Sequence, residues 1–322
     1  MPTKSFDEMK KVVFALLCTA IATGTQAQES QTGYNFLRLP VSAHVAALGG
    51  DNITIIEDDP TLAFHNPALI TAVSDMSLNL NYMNYMAGSN TASASFTKAW
   101  RERGTWAVTA QYMDYGEMKE VTADNVELGT FSAKDIAIGG AFAYVFNERL
   151  AGGVAGKFVT STIAGYTSLA VGVDLGLNYY DEDKGLSLSA VARNLGGQVK
   201  AYNDDFERIP FDLQAGISKQ LGKAPLRLSA TMTKLHDWNE DFINHLVVGI
   251  DVQLSSSIYI AGGYNFRRSE EMGIDDAEGS SSHGAGLSFG AGLQLERFKL
   301  QVAYAKYHVS SASLSFNATY TL

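Results

Sequence analysis

The sequence predicts a transmembrane β-barrel of fourteen antiparallel strands with an N-terminal plug, or hatch, in its lumen. Three observations predict it. Apolar and small or polar residues alternate in segments of about ten residues from Met76 to the end; the connections between segments alternate between short and long; and an apolar stretch without strand character precedes the first segment. The last segment shows the alternation best. Leu314, Phe316, Ala318, Tyr320 and Leu322 fall on one face, and Ser313, Ser315, Asn317, Thr319 and Thr321 on the other. A period of two sets the first row against lipid and the second in the lumen.

Taken in order, residues 1–27 read as a secretory signal: Lys10 and Lys11, then an apolar run from Val12 to Ile21, then small and polar residues ending at Ala27. The only cysteine, Cys18, lies in this segment, so the exported chain has no thiol for a disulfide or for thiolate chemistry. Residues 28–75 are too apolar for a disordered tail. Within them Ser42 is placed to cap a short helix that Gly49 and Gly50 would end, and Asn66 followed by Pro67 reads as a second helix start. With both chain ends on the periplasmic side, the place that buries such a segment is the lumen, and a fourteen-stranded lumen is wide enough to need filling. Leu48, Gly49, Gly50, Asn66 and Pro67 mark this hatch.

Residues 76–322 hold the barrel. Fourteen outward rows run from Met76/Leu78/Leu80/Tyr82, through Ile136/Ile138/Gly140/Phe142/Tyr144 and Leu246/Val248/Ile250/Val252/Leu254, to the terminal row. Tight turns at 101–104, 147–149, 181–184, 221–224, 255–257 and 296–297 fall at every second junction; long loops at 116–133, 194–209, 236–244 and 267–283 fall between them. Sorting by parity is expected of an outer-membrane barrel, with its short periplasmic turns, and not of a soluble sandwich or propeller. Inward positions carry Asp174, Arg193, Asp212, Arg227 and Asp251, which are costly against lipid and tolerable in a polar lumen. Mutual pairing around the plug is the plainer expectation for them, and a solute path the alternative.

Composition narrows the function. Net charge is −10, and the signal removes one positive unit net, so nucleic acid is an unsuitable partner. Mean hydropathy is −0.03 and no run of 18 apolar residues exists, which excludes a helical membrane protein and fits a barrel whose strands are half polar. Gly284, Gly286, Gly290 and Gly292 lie at even spacing in a strand with no helix to follow, so they are not a nucleotide loop but places where backbone or plug approaches closely. The six histidines offer no zinc spacing. His283 and His308 stand near serines 280–282 and 310, where a rim hydrolase would need them, but loop polarity explains them better. No catalytic residue, metal or cofactor is expected, and calcium on the acidic loops is a weaker thought than solvated charge.

The runs Ala47-Leu48-Gly49-Gly50, Asp58-Asp59 and Ala63-Phe64-His65-Asn66-Pro67-Ala68 resemble the hatch segment of the FadL-like outer-membrane proteins. Tyr34-Asn35-Phe36-Leu37-Arg38-Leu39-Pro40, Asn81-Tyr82-Met83-Asn84-Tyr85, and Asn194-Leu195-Gly196 with Ile209-Pro210-Phe211 are similar to patterns of the PorV/PorQ group within that family, the barrels of the type IX secretion system. The resemblance implies a monomeric barrel in the outer membrane of a Gram-negative bacterium, in contact with its lipid. It implies a surface partner of the PorZ kind, in the complex that attaches secreted cargo to lipopolysaccharide. The outer loops would bind that partner, with Glu117, Glu120, Tyr202, Trp238, Glu270 and Asp275 as candidates. The alternative within the family is a channel whose hatch gates uptake of hydrophobic small molecules.

Overall fold

The computed structural model describes residues 32–122, 126–222, 224–272, 274–276, 279–281, 284–308 and 311–322. The predicted signal with Cys18 lies outside them, as do His283 and the side chains of Asp275 and His308.

Fourteen strands close into one antiparallel cylinder. They are β1 (Ser77–Asn84), β2 (Asn90–Trp100), β3 (Gly104–Val121), β4 (Glu127–Asn147), β5 (Leu150–Ile163), β6 (Tyr166–Asp181), β7 (Leu186–Lys200), β8 (Asp212–Gln220), β9 (Leu226–Met232), β10 (Leu246–Gln253), β11 (Ile258–Asn265), β14 (Leu287–Gln294), β15 (Phe298–His308) and β16 (Ser311–Thr321). Every neighbour in the ring is next in sequence except for a two-stranded hairpin, β12 (Ile274–Asp276) with β13 (Gly279–Ser281), that stands outside it. The seam is β1 against β16, in register from Ser77 opposite Thr321 to Asn84 opposite Leu314. No helix among the described residues is long and apolar enough to cross a membrane.

The two faces sort as the alternation predicts. In β1 the exposed row is Leu78, Leu80 and Tyr82, and the buried row is Ser77, Asn79, Asn81 and Met83. The buried amides bond across the seam: Asn79 Nδ2 donates to Thr319 Oγ1 at 2.7 Å, and Asn81 Nδ2 to Ser315 Oγ at 3.0 Å. An apolar outer face with polar groups satisfied inward is the sorting a bilayer demands.

The structure corrects two of the predicted loops. Residues 116–133 are largely strand, because β3 and β4 stay paired from Glu117 opposite Ser132 to Val121 opposite Glu127. β2 ends at Asn90, opposite Asp114, so this part of the ribbon stands clear of the ring on that edge. Residues 194–200 likewise continue β7 along β6. Alternation is lost there because no lipid row is required, while the backbone pairing goes on. Loop 267–283 also carries structure its sequence did not announce, a helix α2 (Phe266–Glu271) started by Asn265, whose side chain accepts from the Arg268 amide at 3.0 Å.

Residues 33–75 run inside the cylinder. They form 3-10 turns at Asn35–Arg38, Pro60–Phe64 and Pro67–Ala72, and one short helix, α1 (Ala43–Ala47). Ser42 caps α1 by accepting from the Val45 amide at 3.3 Å, and Gly49 and Gly50 end it, both at φ 101°, in the left-handed region where glycine is at ease. Asn66 caps the last turn, accepting from Ala68 N at 3.0 Å with Pro67 following.

Candidate functional site

The segment inside the barrel is fitted to the wall by small residues. α1 and the chain after it lie against Gly249, Gly263 and Gly290. A Cβ on Gly249 would come within 2.8 Å of the Leu48 side chain, one on Gly290 within 2.6 Å of the Ala47 methyl, and one on Gly263 would collide with the Leu48 backbone. Leu48, Ile55, Leu62 and Leu69 are buried with Tyr259, Ala261 and Ala303 of the wall in one apolar cluster. In β14, Gly290 leaves room for Ala47 and Gly292 for the Tyr259 ring, whereas Gly284 and Gly286 lie in a turn before the strand and not, as the spacing predicted, within it.

Polar contacts tie the same segment down. Ala43 N donates to Asn317 Oδ1 at 3.2 Å, Ser288 Oγ to Ala47 O at 3.1 Å, and Arg268 Nη2 to Gly49 O at 2.5 Å. Gln111 donates to Phe36 O at 3.2 Å and Arg193 to Leu37 O at 3.0 Å. Asn66 Nδ2 donates to Ile53 O at 3.1 Å, bracing the start of the last turn against the irregular stretch 51–56.

An ionic network lies at the centre of this fitting. His44 of α1 is 3% exposed; its Nδ1 bonds Glu57 Oε2 at 3.0 Å and its Nε2 bonds the Asp251 carboxylate of β10. Lys299 of β15 holds the same Glu57 oxygen at 2.7 Å, and Arg227 of β9 holds Asp251 at 2.8 Å. The Tyr259 ring stacks on the imidazole at 4.1 Å. Burial alone would lower the pKa of His44, but Glu57 and Asp251 outweigh it and raise the value from 6.5 to about 9. Burial would raise Glu57, and Lys299 and His44 reverse this and hold it below the ordinary carboxylate range. His65 is the opposite case. Burial, with Arg193 adding to it, keeps its pKa well below 6.5, and the neutral ring accepts from Ser42 N at 3.4 Å.

Above the 3-10 turn Asn35–Arg38 and the Gly49-Gly50 bend lies a cavity of about 210 Å³, lined by charge: Arg38, Asp51, Arg193, Asp212, Lys234 and Arg268, with Tyr85, Phe211 and Tyr307. A smaller one of about 30 Å³, on the β3–β6 side, shares Arg193 and includes Lys157 and Asp174.

Apart from Asp275, whose side chain lies outside the described residues, the predicted site residues have places. Leu48, Gly49, Gly50, Asn66 and Pro67 sit between α1, the last 3-10 turn and the wall. Of the lumen charges, Asp174 pairs with Lys157 at 2.7 Å and Arg227 with Asp251, while Asp212 accepts from Lys234 N and from Gln214. Glu117, Glu120, Trp238 and Glu270 are exposed. Tyr202 is half-buried, and its hydroxyl donates to Ser161 of the wall. Sequence reasoning missed His44, Glu57 and Lys299 as a group. Lys299 was legible as a charge on the lumenal row of β15; the other two stand in a segment with no periodicity to orient them.

No protein-family model and no curated protein matches the chain. Solved structures do. The Pseudomonas putida toluene transporter TodX superposes with a TM-score of 0.55 at 11% identity, covering 87% of this chain and 97% of that one. The CymD monoaromatic hydrocarbon channel superposes with a TM-score of 0.61 at 13% identity, covering 88% and 98%. This chain shares the barrel fold of these two channels. At such identity the likeness concerns the fold alone, and it agrees with the family resemblance in the hatch motifs.

Proposed function

We propose that the chain is a hatch-gated channel in the outer membrane of a Gram-negative bacterium and admits small hydrophobic molecules that carry a polar end. One observation carries the reading: the lumen holds a folded segment that is not part of the wall, fitted to it by glycines and fixed by an ionic network that can be made or broken. The fold shared with TodX and CymD supports a channel over a secretion component. The charged chamber above the hatch suits a solute with a polar end better than a plain hydrocarbon. The residues serve passage and gating, with no bond made or broken.

Uptake tests it. Cells carrying the protein are compared with empty-vector cells for accumulation of labelled toluene and of a labelled long-chain fatty acid. Saturable uptake of the amphipathic probe is expected, with further gain on His44→Ala. No uptake of either probe by both proteins, together with a surface protein that co-purifies with the barrel, overturns the channel reading.

That outcome would favour a second reading, a seat for a surface protein of the PorZ kind, as the PorV/PorQ resemblance implies. One observation supports it. The β3–β4 ribbon stands beyond β2, bearing Glu117 and Glu120 with exposed Val121, Val126 and Leu128, a surface that gating does not use.

A further inference from the structure

The wall is not of even height. β3 to β7 have 14 to 21 residues each, whereas β8 to β11 and β14 have seven to nine. The step falls between β7 and β8: β7 pairs with β6 as far as Lys200 but with β8 only as far as Arg193, opposite Asp212. Eight residues rising ~3.3 Å each and tilted ~40° span about 20 Å, short of the ~25 Å apolar band of an outer-membrane barrel. On this side the strands alone leave a strip of hydrocarbon uncovered.

At the outer end of that low wall, between β9 and β10, runs a segment with two unlike faces. Trp238, Phe242 and Ile243 are 56, 61 and 45% exposed, as much as lipid-facing Leu80 and Ile250 at 56 and 40%. Asn244 and His245 are buried beneath them. The underside is fixed: His245 Nδ1 donates to Thr233 O at 2.9 Å, Thr233 N donates to His245 O at 2.8 Å, and Glu240 pairs with Arg267 of α2 at 2.8 Å. The Trp238 ring lies 4.7 Å from His245 and is stacked with Phe242 at 6.5 Å. The 3-10 turn Phe242–His245 leads directly into Leu246, the first member of the outward row Leu246, Val248, Ile250 and Val252. The exposed apolar residues thus continue the lipid-facing surface upward from β10, where the wall is too short.

We propose that Trp238, Phe242 and Ile243 are seated in the outer leaflet among its acyl chains, making up the height that β8 to β11 lack. The occupant of this face is lipid, because the face is continuous with the lipid-facing row and lies where the strands fall short of the band. A rigid, two-faced segment carrying Trp at the boundary suits that depth. Neighbouring Asp237 and Asp241 then stand at headgroup level.

Tryptophan quenching in vesicles tests this. The full chain carrying W100F and W106F keeps Trp238 as its one tryptophan, and is refolded into phosphatidylcholine vesicles, some brominated on the acyl chains near the headgroup. Blue-shifted emission, at least two-fold quenched by the brominated lipid and little affected by aqueous iodide, is expected. Ile243→Asp in the same background reduces the lipid quenching if the whole segment is seated together. Emission characteristic of water, quenched by iodide and indifferent to brominated lipid, overturns the proposal, and so does lipid quenching unchanged by Ile243→Asp. The shift in gel mobility on heating verifies that each variant is folded.

Discussion

The imidazole of His44, in the hatch, is hydrogen-bonded to the carboxylate of Asp251, in the wall. These residues are 207 positions apart, and each has a second partner of opposite charge, Glu57 for His44 and Arg227 for Asp251. The hatch is therefore held by a chain of alternating charges running Lys299, Glu57, His44, Asp251, Arg227. Its strength depends on every member keeping its charge, because a buried ion without its counter-ion is costly.

The first prediction is a pH dependence. A pKa raised from 6.5 to about 9 means that the His44 contribution to hatch seating is fully present below pH 6.5 and is lost as pH rises through 9. Glu57, held below its ordinary 4.5, contributes above that value and loses its contribution as pH falls through the depressed one. Hydrogen exchange in residues 33–75 should be slowest between about pH 4.5 and 6.5 after correction for the intrinsic rate, and rise toward pH 9 while exchange in β3 to β6 does not.

Removing one member should be worse than removing a pair. His44→Ala leaves Glu57 and Asp251 facing each other and should weaken hatch seating by about 3 kcal/mol, in the range for a broken buried pair. The double change His44→Leu with Asp251→Leu should recover much of that loss if Arg227 can turn to solvent. Single-channel conductance reads both, with frequent openings for the single variant and few for the double.

Gly249→Val should separate hatch from wall without unmaking the barrel. The Cβ would stand 2.8 Å from the Leu48 side chain and from the Ser229 hydroxyl, with no backbone atom among its nearest neighbours, so α1 has to move. Valine is at home in a strand, so β10 should still pair. Heat-modifiable mobility should persist while protease cuts within residues 33–75 appear; mobility lost together with the hatch would show that the two do not separate.

Asn66→Ala should loosen the inner edge of the hatch. It deletes the cap on the Ala68 amide and the bond to Ile53 O, both buried, and should cost about 1 to 2 kcal/mol. Denaturant-dependent exchange at 67–72 measures it, with Asn66→Asp as the comparison that restores the cap and not the second bond.

Much of the architecture was legible because lipid imposes a strict rule. Leu314, Phe316 and Tyr320 could only be one face of a strand, and Asn66-Pro67 could only start a turn. Where lipid ends, so does the rule: Glu117 to Val121 remain strand with neither face constrained, and the sequence there reads as loop. The charge chain was half visible. Arg227 and Asp251 declared themselves by lying on the lumenal row, whereas His44 and Glu57 meet them only through the folding of a segment without a period. The Tyr202 contact with Ser161 was illegible for a related reason, since nothing local says whether a loop residue turns back toward the wall.

The amide of Asn317 sits on the last strand at the seam, where its oxygen accepts both from Asn81 on the first strand and from the backbone of Ala43 in the hatch. Zipping the cylinder shut and lodging its contents thus share a single atom. A cylinder closed around an empty bore would leave that oxygen with one of its two donors, so the seam and the segment it encloses are coupled through one side chain.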